Sequence, residues 1–464
     1  MKKIATALLS CALSAATLAG CAANAAQVPQ ESQEPHTAAL TATAAASVKS
    51  PKYVFLFIGD GMSYPQIQST SDYLGALKDA DYWQAQPSLD DNQGAILDGP
   101  EYLNFMNFEA AGSAVTYDSN SFAPDSASTA TSISTGHKTY SGSINVDETG
   151  TIEYETIAEQ LKAQKGWEIG VITSVNLNHA TPAAFYAHQA SRSSYYEIGL
   201  ELVESGFDYF AGGGLLKPTG SSGDQTDLYE LAQEAGYTVA KTHAEADAIG
   251  TNTEKAIIID EDLADSDAMA YELDRTDDMW ALADYVAKGI EVLDNDTGFF
   301  MMCEGGKIDW ACHANDAASS IHDTQALADA VQVAIDFAKE HADETLILVT
   351  GDHETGGLTI GFAGTDYDTY LDLLENQKIS FAKYDSDYVA SYKANKTPFG
   401  TVLADIEKLF GLKAQGEEGD KLVLTAYEME QLRAAYEKSI NGTASSQYDQ
   451  AEYVLYGTYE PLSV

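Results

Sequence analysis

Four carboxylates, two histidines and one serine carry the chemistry open to this chain. They are Asp60, Glu304, Asp309, Asp352, His313, His353 and Ser126, the last in Pro124-Asp125-Ser126-Ala127-Ser128. Carboxylate oxygen and imidazole nitrogen suit divalent cations, zinc among them. A serine hydroxyl beside such a cation loses its proton readily and can attack phosphorus. Each residue also has an ordinary reading. Asp60 between two glycines is a turn residue. Asp352-His353 reads as a solvated loop, and Asp125 or Ser126 as a helix N-cap. Asp309 and His313 are four apart, which on a helix puts both on one face with Cβ atoms about 5–6 Å apart. A capping aspartate and a core or surface histidine share that spacing.

What joins the set is its position after predicted strands. Apolar, β-branched and aromatic runs at 53–58, 169–173, 256–259, 299–303 and 346–350 read as buried strands. Helical patterns lie between them, at 156–164, 279–293 and 317–338. The alternation predicts an α/β fold, a large mostly parallel sheet with helices on both faces in three layers. Asp60, Glu304 and Asp352-His353 each follow one of these strands, and open α/β sheets bind ligands at the carboxyl ends of their strands. Ser126 precedes Ala127-Ser128-Thr129-Ala130-Thr131, which can start a helix. The free N–H groups and positive dipole end of a helix start favour phosphate. Arg192, in His188-Gln189-Ala190-Ser191-Arg192, has the guanidinium fork that matches two phosphoryl oxygens; a surface salt bridge is its plain alternative. Residues 213–255 and 363–445 look like surface elaborations, the latter with an amphipathic stretch at 426–436.

The formal net charge is −46, from 71 acidic and 25 basic residues. So acidic a chain is no partner for nucleic acid or an anionic membrane surface. It suits a salt-tolerant surface, and it requires strong local positive charge wherever an anion binds, which metal ions would supply. Lys2, Lys3 and the apolar run 4–18 read as an export signal occupying residues 1–20. Leu18-Ala19-Gly20-Cys21 resembles a bacterial lipobox, with a lipid on Cys21 as the only membrane attachment; an ordinary cleavage at 23–26 is the alternative. Residues 21–49 have a tether's composition, leaving 50–464 as one catalytic domain. The expected location is outside the cytoplasm, anchored and facing the periplasm or exterior. Cys303 and Cys312 are expected as buried thiols.

Five pieces, in their order and spacing, resemble the alkaline phosphatase family over residues 52–357. They are Phe57-Ile58-Gly59-Asp60-Gly61-Met62, Asp125-Ser126-Ala127, His179-Ala180-Thr181-Pro182-Ala183-Ala184 with Arg192, Glu304 through His313, and Thr350-Gly351-Asp352-His353-Glu354. The resemblance implies hydrolysis of phosphate monoesters at two zinc ions and one magnesium ion. Ser126 would be the nucleophile that becomes phosphoserine, and Arg192 would hold the phosphate. One zinc would take Asp60, Asp352 and His353; the other Asp309 and His313; magnesium would take Asp60, Thr181 and Glu304. His179 and Trp310 are similar to a bacterial subtype in which the histidine touches magnesium weakly or through water. Three divalent ions and Arg192 bring +7 against four carboxylates, leaving about +3 for a phosphate dianion. The resemblance also implies a third ligand on the Asp309/His313 zinc, a histidine near the C-terminus. No histidine follows His353, so the expectation is a truncated sequence or a substitute ligand, and a weaker zinc site. The alternatives are a non-catalytic phosphate- or metal-binding lipoprotein, or a phosphodiesterase of the same superfamily. A sulfatase would need Cys-x-Pro-x-Arg or Ser-x-Pro-x-Arg at the nucleophile, which is lacking. Homodimers are common in the family.

Overall fold

The computed structural model describes residues 50–82, 96–360, 369–417 and 419–442. The signal, Cys21, the tether and residues 443–464 lie outside them. Seven strands form one sheet: β1 (Tyr53–Gly59), β2 (Glu168–Asn176), β3 (Tyr209–Gly213), β4 (Thr238–Ala240), β5 (Ala256–Ile259), β6 (Phe299–Gly305) and β7 (Thr345–Gly351). Their order is β4-β5-β3-β2-β6-β1-β7, and every pairing is parallel.

Strand sequences explain the layering. On β1, Tyr53, Phe55 and Phe57 join one buried cluster while Leu56 and Ile58 join another. On β6 the same alternation sends Phe299, Met301 and Cys303 one way, and Phe300 and Met302 the other. Apolar side chains on both faces need cover on both faces, which is why such strands read as continuous hydrophobic runs. On one face lie α2 (Ser126–Thr135), α3 (Ile157–Lys165), α4 (Ala180–Ala183), α5 (Tyr195–Ser205) and α6 (Leu228–Glu234), through residues such as Ala127, Ala158, Ala183, Ile198 and Leu228. The other face is covered by α7 (Leu282–Leu293), α8 (Lys307–His313) and α9 (Ala317–Glu340), through Val286, Ile308, Leu327 and Val331.

Two expectations need correction. Residues 213–255 are more than elaboration, because β4 lies within them and pairs with β5. Residues 369–442, within the expected elaboration at 363–445, are not mere elaboration either. Helices α10 (Phe399–Phe410) and α11 (Ala426–Asn441) build a third core with Tyr73 of α1 (Tyr64–Lys78) and Ile321 of α9. Among the described residues, β7 is an edge strand with no fully buried position, and Leu346 and Leu348 are exposed. No described helix is long and apolar enough to cross a membrane.

Candidate functional site

Strand register builds the site. Gly59 of β1 aligns with Gly305 of β6 and Gly351 of β7. Asp60 and Asp352 are each one residue beyond that level row, and Glu304 is one residue before it. Glu304 also aligns with Thr173 of β2. The acids predicted at strand ends therefore meet in one crevice at the carboxyl edge.

The ligating atoms of Asp60, Asp352 and His353 lie within 4.8 Å of one another, and all three residues are buried. Asp352 is fixed in place: its Oδ1 accepts from the backbone N–H of Gly61 (3.0 Å) and of His353 (2.8 Å), and its Oδ2 from the Thr129 hydroxyl (2.9 Å). Ser126 opens α2, which Asp125 caps by accepting from the Ser128 N–H. Its Oγ is 3.1 Å from Asp60 Oδ1 and 3.3 Å from His353 Nε2. A hydroxyl at a helix N-terminus is thus seated between two candidate metal ligands.

Asp309 and His313 lie on α8, with Asp309 Oδ2 3.4 Å from His313 Nε2. Asp309 is buried, whereas the His313 side chain is 66% exposed. Among the described residues this pair gains no third His, Cys, Asp or Glu, unlike the Asp60 group.

Glu304 accepts from the Thr173 hydroxyl at 2.5 Å through Oε2. Its Oε1 and the Thr181 hydroxyl oxygen are both buried without a hydrogen-bond partner among the described residues. Burial pushes the Glu304 carboxyl up to about 8, against the lowering effects of the Thr173 hydroxyl and of the nearby Thr181 hydroxyl. Burial, then the charges of Asp352 and Asp309, hold the Asp60 carboxyl well above the usual range. Burial would lower His353, but Asp352 and Asp60 beside it take it up to about 10. Clustered acids that are this hard to ionise together, beside orphaned buried oxygens, are what a divalent cation relieves. The donor set therefore fits a metal ion at Asp60/Asp352/His353, and the buried Glu304 and Thr181 oxygens offer oxygen donors to a further one.

Arg192 Nη1 donates to Asp125 Oδ2 at 2.8 Å, and Nη2 lies 3.4 Å from His179 Nε2. His179 is half-buried, and desolvation followed by the Arg192 charge lowers it to about 3. A neutral imidazole facing an arginine presents its lone pair to that arginine. His179 Nε2 is therefore engaged with Arg192, and its Nδ1 has no partner among the described residues. The ring meets Trp310 edge-on at 5.8 Å.

Sequence reading gave Asp125 only a capping role, yet it also orients Arg192. Gln66, Thr129 and Thr355 were not singled out, although all three bind this cluster. Thr355 stands two residues past His353, and a hydroxyl so close to a candidate ligand was the available signal. Cys303 and Cys312 are free and buried, as expected; burial pushes the Cys312 thiol up to about 11. A second histidine-acid group joins His243, ahead of β5, with Asp260 and Asp262 just after it. There the Asp260 oxygens already accept from the Tyr285 hydroxyl (2.9 Å) and the Asp262 N–H (2.6 Å), while His243 Nε2 has no hydrogen-bond partner among the described residues.

Residues 51–403 match the family model for alkaline phosphatase. Alkaline phosphatase 4 of Bacillus subtilis is 30% identical over 374 residues, covering 79% of this chain and 73% of that protein. The cold-active alkaline phosphatase of the psychrophile Shewanella sp. has a TM-score of 0.65 and 27% identity, over 88% of this chain and 87% of that one. A mutant of the TAB5 alkaline phosphatase with Mg bound in its M3 site has a TM-score of 0.56 and 32% identity, over 68% of this chain and 81% of that one.

Proposed function

The chain belongs to the alkaline phosphatase family and is a phosphatase, and on that premise we propose that it hydrolyses phosphate monoesters through a phosphoserine on Ser126. The observation that carries the reading is Ser126 Oγ at 3.1 Å from Asp60 and 3.3 Å from His353, at the start of α2. Zinc at Asp60/Asp352/His353 and at Asp309/His313, with magnesium at Asp60/Glu304/Thr181, would supply positive charge and lower the pKa of bound oxygen. Family membership and the orphaned Glu304 and Thr181 oxygens support that assignment.

The chain's own residues then do the following. Asp125 holds the Arg192 fork, which pairs with two phosphoryl oxygens of the substrate. Ser126 Oγ gives up its proton and forms a bond to phosphorus. The ester P–O bond breaks, and the alcohol leaves with a proton. The N-terminus of α2 stabilises charge on the phosphoryl oxygens. Water then attacks phosphorus, the bond to Ser126 Oγ breaks, and inorganic phosphate departs as the serine regains its proton.

Ser126→Ala tests the reading. With zinc and magnesium supplied, the variant should lose phosphoenzyme and fall by several orders of magnitude in kcat. Undiminished turnover would overturn the nucleophile. Phosphate binding without turnover in the unaltered chain would favour the non-catalytic alternative.

Export and a lipid on Cys21 complete the proposal, supported by Lys2, Lys3 and Leu18-Ala19-Gly20-Cys21. Mass analysis of the mature N-terminal peptide checks it: a diacylglyceryl adduct on Cys21 is expected, and a free amino terminus within 23–27 would refute it.

A further inference from the structure

Thr355 links two sets of candidate ligands that belong to different metal ions. Its hydroxyl lies 2.6 Å from Asp309 Oδ1 and 3.1 Å from His353 Nδ1, and the residue is 8% exposed. A hydroxyl has one proton, and an ionised carboxylate only accepts. The proton therefore goes to Asp309, and the threonine oxygen accepts from His353 Nδ1–H. The neighbouring Glu354 carbonyl oxygen, 3.2 Å from the same nitrogen, can only accept as well. In the neutral ring that a cation requires, a proton on Nδ1 leaves the Nε2 lone pair on the side of Asp60 and Ser126. On the other side, Asp309 Oδ1 is occupied, which leaves Oδ2 facing His313.

Two features keep Thr355 there. Gln66, fully buried in α1, donates from Nε2 to the Thr355 carbonyl at 3.3 Å. Gly61 has φ +64°, and a Cβ on it would lie 2.8 Å from Thr355 Oγ1 and 2.9 Å from Asp309 Oδ1. The bare turn after β1 is thus what makes room for the bridge. The backbone N–H of that same Gly61 holds Asp352.

We propose that Thr355 is a positioning residue shared by the two zinc sites, orienting Asp309 for one and fixing the His353 tautomer for the other. The inference rests on the metal assignment above. Partners that orient metal ligands in this way typically change affinity by about 10–100-fold when removed.

The test uses the full chain, stripped and reloaded, with zinc affinity read by competition against a chromogenic chelator. Thr355→Val keeps the shape and loses the hydroxyl; Thr355→Ser keeps the hydroxyl. Valine should weaken both zinc equivalents by about 10-fold or more, and serine should restore most of the loss. The unfolding midpoint of the stripped chain, measured alongside, reports any purely structural damage. Unchanged affinity in the valine variant, loss at only one equivalent, or a serine variant as weak as valine would each overturn the bridge. Failure of the unaltered chain to bind zinc at all would instead overturn the metal assignment, and this inference with it.

Discussion

His188 shows how a histidine near the phosphate clamp serves the fold without touching phosphate. Its Nε2 lies 3.5 Å from Glu159 and its Nδ1 3.6 Å from Glu201. Burial would lower it, but these carboxylates raise it from 6.5 to about 10. A group raised on folding stabilises fully below its unfolded pKa and ceases to do so as pH climbs through the folded value. The stabilisation is therefore present up to about pH 6.5 and lost toward pH 10. His188→Gln should cost about 1–2 kcal/mol in mildly acid solution and almost nothing at alkaline pH. Denaturant midpoints at the two ends check this, and a gap that ignores pH would refute it. At this scale the metal-ligand candidates were legible because acids and histidines after strands are rare and local in sequence. The supporting partners were not. Gln66, Thr129, Thr173 and Thr355 are ordinary residue types, and their role exists only through contacts made between residues distant in sequence.

At the scale of elements, the end of β7 shows how tightly the crevice is made. A Cβ on Gly351 would lie 1.7 Å from the Met62 carbonyl oxygen. The turn leaving β1 therefore rests directly on the last residue of β7, immediately before Asp352. Gly351→Ala must part these two segments. It should destabilise the chain by about 1–3 kcal/mol and reduce kcat by about 100-fold, the usual cost of a 1 Å misplacement. Steady-state kinetics with a melting curve checks both, and near-normal kcat would show that the two strand ends move independently. The strands that deliver ligands were all readable, because long β-branched and aromatic runs with buried faces leave little ambiguity. β3 and β4 were not. β3 is five residues ending in two glycines, and β4 is only three residues long. Both gain their strand character from a neighbour. The third core was missed for a related reason: its amphipathic helices show an apolar stripe without saying what it packs against.

Across the whole molecule, charge dominates. A net −46 means that the compact state repels itself and that the far field opposes an incoming dianion. Added salt shortens the screening length from about 30 Å at 0.01 M to about 3 Å at 1 M. The unfolding temperature should rise with NaCl over that range, and KM for a charged monoester should not worsen. Calorimetry and initial rates at constant metal supply measure the two. A melting temperature that falls with salt would mean that local ion pairs, such as Arg275–Glu272 and Lys162–Asp208, outweigh the global repulsion.

The register of β1 has a consequence in time. Tyr53 pairs with Phe299 on one side and Thr345 on the other, so this early strand has neighbours only from the second half of the chain. A ribosome adding about 5–20 residues per second needs about 15–60 seconds to reach from the first strand to the last. For most of that interval Asp60 has neither Glu304 nor Asp352 beside it. The crevice is consequently among the last parts of the molecule to exist, and a nascent chain carries its serine without the means to use it.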